Sequence, residues 1–229
     1  MNRDQLSRVA GDRLYPSLTN PNYLVLRARR IIFRDWMRNL GTALEVLDVG
    51  GRYQPYRPLL NGKLKSYVAL DVQTTEFVNV VGSGESVPFK DESFDLVIAT
   101  QVFEYFQRPH KAATEVHRVL RAGGTLLISV AACAPRFVDE ECWRYTPRAL
   151  RSVLAPFSQI TIRPEVTSLG AVCRLTNLFL HDSLKLKPLQ AAHRLTLCPI
   201  MNLFGAGLES ASMTRNDRWT GNYSVMAIK

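Results

Sequence analysis

The sequence predicts an α/β fold, a mostly parallel sheet with helices on both faces, and three observations predict it. Short apolar runs alternate with helical patterns through residues 45–130. Two of those runs, Glu45-Val-Leu-Asp-Val-Gly-Gly51 and Tyr67-Val-Ala-Leu-Asp71, contain or end in a carboxylate, and the first passes directly into a pair of glycines. Asp48 and Asp71 stand 23 positions apart. In an open parallel sheet, ligands sit outside the carboxyl ends of the strands, a glycine turn lets backbone approach them, and an acid about 20 residues on takes a ribose hydroxyl. The chain therefore reads as one built to hold a nucleoside.

The elements follow in order. Residues 22–40 read as a helix with Val25, Ile32, Phe33, Trp36 and Leu40 on one side and Arg27, Arg30, Arg34 and Arg38 on the other, stopped by Gly41. A strand at 45–49, a helix around 54–61, a strand at 66–71 and a short strand at 78–81 come next. Then come a strand at 94–99, a helix at 109–121 ended by Gly123-Gly124, and a strand at 125–130. Thr146-Pro147 is a helix start, with Thr as cap and Pro in the first turn, and the helix runs to about 155. A strand at 158–163 follows, and the alternating Tyr223-Ser-Val-Met-Ala-Ile-Lys229 closes the sheet. The apolar stretches at 169–180 and 195–208, broken by Pro188, Pro199, Gly205 and Gly207, predict a mainly helical insertion over 164–218. The whole is one domain, 1–229: a helical segment 1–41, a ligand-binding core 42–163, the insertion, and a final strand 219–229.

Composition narrows the class. The 229 residues are 46% hydrophobic and 21% charged, which is the balance of a soluble globular protein. No run of about 18 apolar residues exists, and the start Met1-Asn-Arg-Asp-Gln-Leu-Ser lacks the pattern of a secretory signal. A cytoplasmic protein is expected, with peripheral membrane contact left open. Cys133, Cys142, Cys173 and Cys198 are far apart without a C-x-x-C pair, so reduced thiols and no metal site are expected. The net charge of +9 leaves two readings of the arginine stripe: a solvated helix face, or a surface for phosphates, acidic glycans or anionic lipid. No RNA-binding aromatic pattern lies beside it, and no nucleic-acid partner is expected. The turn after Gly50 is not G-x-G-x-x-G and no G-x-x-x-x-G-K-[ST] loop is present, so neither a dinucleotide nor a triphosphate is supported.

Six segments then stand in a recognisable order: Val46-Leu-Asp-Val-Gly-Gly51, Tyr67-Val-Ala-Leu-Asp71, Gly82-Ser-Gly-Glu-Ser-Val-Pro-Phe89, Ser93-Phe-Asp-Leu-Val-Ile-Ala99, Gln101-Val-Phe-Glu-Tyr105 and Glu115-Val-His-Arg-Val-Leu-Arg-Ala-Gly-Gly124. Together they resemble the class I S-adenosylmethionine-dependent methyltransferases, in the broad type 11-like subgroup that reads D-x-G-x-G, G-D-A-E-x-L-P-F, S-F-D-x-V, Q-V-L-E-H and E-x-x-R-V-L-x-P-G-G. The resemblance covers roughly residues 44–130, more weakly the last strand. It implies a Rossmann-like, mostly parallel seven-stranded sheet, S-adenosylmethionine as cofactor, and methyl transfer. By the same resemblance Asp48, Gly50 and Gly51 pack against the methionine part of the cofactor, Asp71 takes the ribose hydroxyls, and Val72 lies against the adenine. Ser83, Gly84 and Glu85 fall in the segment at the adenine edge, and Thr100 and Gln101 near the methionine carboxylate and the methyl.

This sequence departs from the pattern at Arg52 and Gln54, where the family has glycines. Arg52 could pair with the cofactor carboxylate, or its bulk could block the backbone approach. Ser83 replaces an Asp and Tyr105 replaces a His. A narrower resemblance lies at Glu141-Cys-Trp-Arg-Tyr-Thr-Pro147, which is similar to methyltransferase-domain proteins associated with bacterial surface polysaccharide and glycolipid synthesis. There Trp143, Arg144 and Tyr145 are candidate substrate contacts: a flat face for a sugar and a fork for a carboxylate or phosphate. The alternative is that Trp143 packs and Arg144 serves a local ion pair. Candidate bases are His110, Tyr105 and Glu141, with Asp139 and Glu140 in the same loop; His117 is expected to be structural. The leading expectation is O-methylation of a sugar hydroxyl on a glycan, glycolipid or glycosylated metabolite. A small-molecule methyltransferase of secondary or quinone metabolism, and a methyltransferase-like binding protein without turnover, remain as alternatives. The insertion is expected to form a lid or acceptor wall, with dimerisation or membrane contact through its apolar stretches left open.

Overall fold

The computed structural model describes residues 1–136, 138–211 and 217–229. Seven strands form one sheet: β1 (Leu44–Val49), β2 (Leu64–Asp71), β3 (Val80–Val81), β4 (Phe94–Thr100), β5 (Leu120–Ala131), β6 (Gln159–Pro164) and β7 (Asn222–Ile228). Their order is β3-β2-β1-β4-β5-β7-β6. The first five in that order run parallel, and β7 lies antiparallel between β5 and β6.

The alternation of each central strand explains the two layers. Val46 of β1, Leu96 and Ile98 of β4 and Leu127 of β5 face one side, where Ile32, Phe33, Trp36 and Met37 of α2 (Tyr23–Arg38) cover them. Leu47, Val49, Val97, Ala99, Leu126 and Ile128 face the other, against Ala112, Val116 and Val119 of α3 (Pro109–Val119) and Leu150 and Val153 of α4 (Pro147–Val153). Strands apolar on both faces are what a parallel sheet with helices on each side requires. The cap of α4 is as the sequence predicts, with Thr146 Oγ1 accepting from Ala149 N. The insertion is helical in its described part: α5 (Ser168–Ser183), α6 (Lys187–Leu195) and α7 (Leu197–Ser210). Its stretch 212–216 lies outside the described residues. No helix among the described residues is long and apolar enough to cross a membrane.

Two expectations are corrected. The predicted helix 54–61 is only a 3-10 turn, Arg57–Leu60; Pro55 and Pro58 withhold two N–H donors, so an α-helical ladder cannot form there. Gly123-Gly124 does not end α3. The helix stops at Val119 because Leu120 turns extended (ψ 141°) and pairs with Phe94, and Gly123 takes φ +74° inside β5. Within the segment 1–41 expected to be helical, a first helix, α1 (Arg3–Leu14), is held by a capping box in which Asn2 accepts from Gln5 N and Gln5 accepts from Asn2 N. Of the arginine stripe, Arg34 and Arg38 are exposed, while Arg30 stacks over the Tyr15 ring at 4.9 Å.

Candidate active site

The connections from β1 and β4 leave on opposite sides of the sheet, so their carboxyl ends open the crevice where ligands of such sheets bind. Gly50 turns the chain there with φ +77°, and its N–H donates to Leu70 O at 2.8 Å. A Cβ on Gly51 would lie 2.7 Å from Asp48 O, so the turn is closed to any side chain. Asp48 is buried beneath it and accepts from the Tyr67 hydroxyl at 2.6 Å. Burial pushes its pKa up to about 7 against the pull of that bond, with Asp71 adding to the rise.

Asp71 ends β2 with one oxygen accepting from Gln73 N at 2.9 Å, and among the described residues no donor meets the other. Val72 beside it is 68% exposed. Arg52 and Gln54 have a shared explanation. Arg52 donates to Gln73 Oε1 and its carbonyl accepts from the Thr75 hydroxyl, while Gln54 Nε2 donates to Phe77 O at 2.6 Å. Gln54 itself sits at φ +49° and accepts from Arg57. With no α-helix after β1, these bonds fasten the first loop to the loop after Asp71. Tyr53 between them has the guanidinium groups of Arg13 and Arg52 at 4.4 and 5.3 Å from its ring centroid, which ties α1 to the same loop.

Gly84 allows a close crossing: a Cβ would meet Phe106 Cζ at 2.6 Å and Val49 Cγ1 at 2.9 Å. Ser83 Oγ accepts from Glu85 N. The Glu85 carboxylate is taken up by Gln107 N, Arg108 N and Arg108 Nε. It therefore braces the loop after β4, whatever else it contacts. Thr100 closes β4, and Gln101 follows at φ +52°, a strained turn for a residue with a Cβ.

The proposed acceptor side divides. Tyr105 is exposed and its hydroxyl lies 3.4 Å from Glu141 Oε1; burial and Glu141 raise its pKa. Trp143 is 41% exposed, its indole fixed by Nε1 donating to Phe106 O at 2.6 Å. Arg144 is spent locally on Pro135 O, Trp143 O and Glu141. Tyr145 is buried and donates to Phe103 O at 2.8 Å, which corrects its reading as a surface contact: it is a core brace. His110 is exposed on the first turn of α3, and its imidazole makes no hydrogen bond among the described residues. His117 packs edge-on to Phe157, as a structural histidine would. Asp139 pairs with Arg136 in a solvated loop.

Sequence reasoning missed two groups. Glu104 is buried; Oε1 accepts from Ala131 N at 2.6 Å, while Oε2 is enclosed without a partner among the described residues. Burial pushes its pKa up to about 7. Its signal was a lone carboxylate within the apolar run Val102–Phe106. The second group is Arg29, which forms a buried ion pair with Glu165. Glu165 Oε1 also accepts from the Ser129 and Ser224 hydroxyls at 2.6 and 2.8 Å. When its oxygen faces the guanidinium, the Asn222 amide accepts from Arg29 Nη2 at 2.9 Å and, on the same oxygen, from Gln101 Nε2 at 3.1 Å. Behind Gln101, then, stands a satisfied buried network.

The residues present suit an adenosine with an amino-acid arm: a carboxylate at the ribose position, an exposed valine beside it, and a turn that excludes a Cβ. Comparison with known proteins agrees. Residues 47–128 match the family described as a methyltransferase domain. An uncharacterised protein of Methanocaldococcus jannaschii is 30% identical over 91 residues, 39% of this chain and 44% of that protein. The malonyl-[acyl-carrier protein] O-methyltransferase of Methylococcus capsulatus is 38% identical over 65 residues, 28% of this chain and 24% of that one. The chain thus spans less than half the length of these curated relatives. Across the whole fold, an S-adenosylmethionine-dependent methyltransferase from Archaeoglobus fulgidus superposes with TM-score 0.54 at 14% identity, covering 97% of this chain and 99% of that one. Residues 47–128 are therefore similar to a methyltransferase domain, and the whole chain shares its fold with an S-adenosylmethionine-dependent methyltransferase.

Proposed function

We propose that this chain catalyses O-methylation of a sugar hydroxyl, on a glycan, glycolipid or glycosylated metabolite, with S-adenosylmethionine as donor. The observation that supports the reading is the Trp143 ring, 41% exposed and fixed by Nε1 donating to Phe106 O, together with the Tyr105 hydroxyl paired with Glu141. When bound, S-adenosylmethionine supplies an electrophilic methyl. Asp71 binds the ribose hydroxyls through its unengaged oxygen, Val72 covers the adenine, and the Gly50–Gly51 turn receives the methionine arm. Gln101, fixed by Asn222, orients that arm. On the acceptor side, the Trp143 ring offers its face to a sugar, and the Tyr105–Glu141 pair orients the hydroxyl. The same pair then takes the proton released as the acceptor oxygen attacks. Alignment of acceptor and methyl supplies most of the remaining help.

The cofactor part is tested by calorimetric titration with S-adenosylmethionine and S-adenosylhomocysteine: binding of both is expected, and Asp71→Ala should weaken it at least about tenfold, the worth of one lost charged hydrogen bond. Absence of binding by the unaltered chain overturns the reading. The acceptor part is tested with isotopically labelled methyl donor against sugar-bearing and phenolic acceptors, with incorporation into a base-stable ether expected. A second reading, transfer to a carboxylate, is favoured by the printed activity of the Methylococcus relative. A carboxylate acceptor needs no base, so unchanged kcat in Tyr105→Phe and Glu141→Gln would select it.

A further inference from the structure

We propose that the outer face of α7, with the α6–α7 junction, seats this chain on an anionic phospholipid bilayer. This inference is independent of the acceptor proposed above. Helix α7 packs on α5 through Cys198, Asn202 and Gly205: Asn177 Nδ2 donates to Cys198 O and Asn202 Oδ1, and Gly205 lies against Cys173. On the opposite side, Leu197, Ile200 and Phe204 recur at three- and four-residue spacing, with Leu203 beside them and Leu195 at the junction, and these five are 41–72% exposed. A surface helix normally turns a polar face outward. This one is apolar on both sides, so its outer face lacks the cover its composition asks for.

Charge identifies the cover. Residues 184–208 contain Lys185, Lys187 and Arg194, all exposed, and no Asp or Glu. The flanking carboxylates are Asp182, exposed at the end of α5, and Glu209, which is occupied by the Thr167 N–H and hydroxyl. An apolar strip with an excess of cations matches acyl chains beneath anionic headgroups. It matches a second copy of itself less well, because a two-fold contact would bring six of these cations together against two exposed carboxylates. Fourteen residues of α7 span about 21 Å at the usual rise, short of a hydrocarbon core of about 30 Å. The helix would therefore lie along the interface.

The test is flotation of the full chain with vesicles of phosphatidylcholine alone and of phosphatidylcholine mixed with phosphatidylglycerol. Binding to the mixed vesicles, reversed by salt, is expected. The variant Ile200→Ser/Leu203→Ser/Phe204→Ser should lose at least about tenfold in partitioning, given the apolar area removed. Lys185→Glu/Lys187→Glu should lose binding to the mixed vesicles while keeping the same thermal melt. All five positions are exposed, and circular dichroism checks that both variants fold. Failure of the unaltered chain to float with the mixed vesicles overturns the proposal. So do equal binding to both vesicle types and equal binding by folded variants. A dimer seen by light scattering that the apolar triple variant dissolves would instead make this face a self-interface.

Discussion

Arg29 of α2 and Glu165, just past β6, meet in two parallel bonds, Nε to Oε1 at 2.8 Å and Nη2 to Oε2 at 2.9 Å, with side chains 5% and 0% exposed. Burial alone would weaken the guanidinium's charge, but Glu165 outweighs it and holds the pKa of Arg29 above its usual value. Removing one partner strands the other charge, so Arg29→Ala and Glu165→Ala should each cost about 3–5 kcal/mol. The double variant Arg29→Met/Glu165→Leu should cost less than the sum of the two, because no orphan charge is left. Urea unfolding followed by circular dichroism measures all three. Because Asn222 links this pair to Gln101, any single variant that still folds should also bind S-adenosylhomocysteine more weakly.

Glu104 makes stability depend on pH in a stated direction. Burial raises its folded pKa from 4.5 to about 7, so between those values the folded chain keeps a proton that the unfolded chain has released. The contribution is present in full below pH 4.5 and is lost as pH rises through about 7. At 1.36 kcal/mol per unit this amounts to about 3 kcal/mol, roughly 6–12 °C in Tm for a domain of this size. Asp48, raised from 3.8 to about 7 mainly by burial, acts in the same sense. Thermal melts from pH 5 to about 8 should therefore show Glu104→Gln gaining on the unaltered chain as pH rises. A constant difference between the two would mean that Glu104 is already ionised in the fold.

The strands and their carboxyl-end residues were legible because burial on both faces imposes apolar runs, and because a tight turn admits little besides glycine. Asp71, Gly50 and Gly51 are therefore found where the pattern puts them. Arg29 was legible in principle, as it lies four residues from both Val25 and Phe33, inside the apolar stripe of α2. Its partner was not, since Glu165 lies just past the end of β6, outside that strand's alternation, and is joined to Arg29 only by folding. The helix expected around 54–61 does not form, because Pro55 and Pro58 lack the donors an α-helix would use there. Arg52 and Gln54 looked like obstacles because their partners, Gln73 and Phe77, lie in another loop.

Close backbone crossings give a sharp test of the turn geometry. A Cβ at Gly84 would overlap both Phe106 and Val49, two core side chains. Gly84→Ala should lower stability by about 1–3 kcal/mol, as overpacking does, and shift the segment that also carries Ser83. Gly51→Ala meets the Asp48 backbone instead, which cannot rotate away. Its larger effect should be on S-adenosylhomocysteine affinity, measured by calorimetry beside a melt of each variant. Equal affinity in Gly51→Ala and the unaltered chain would remove this turn from the site.

Gln54 separates strain from fastening. Its φ of +49° costs about 1 kcal/mol relative to glycine, and its side chain repays this with the bond to Phe77 O. Gln54→Ala keeps the strain and loses the bond, so it should destabilise by about 1–2 kcal/mol. Gln54→Gly loses the bond but also the strain, and should melt within about 1 kcal/mol of the unaltered chain. Both release the first loop from residues 75–77 and should raise amide hydrogen exchange over residues 51–57, measured by mass spectrometry. If the glycine variant melted lower than the alanine variant, φ strain at this position would not be what sets the balance. If exchange in the loop were unchanged in both, the bond between Gln54 and Phe77 would not be what holds the loop in place.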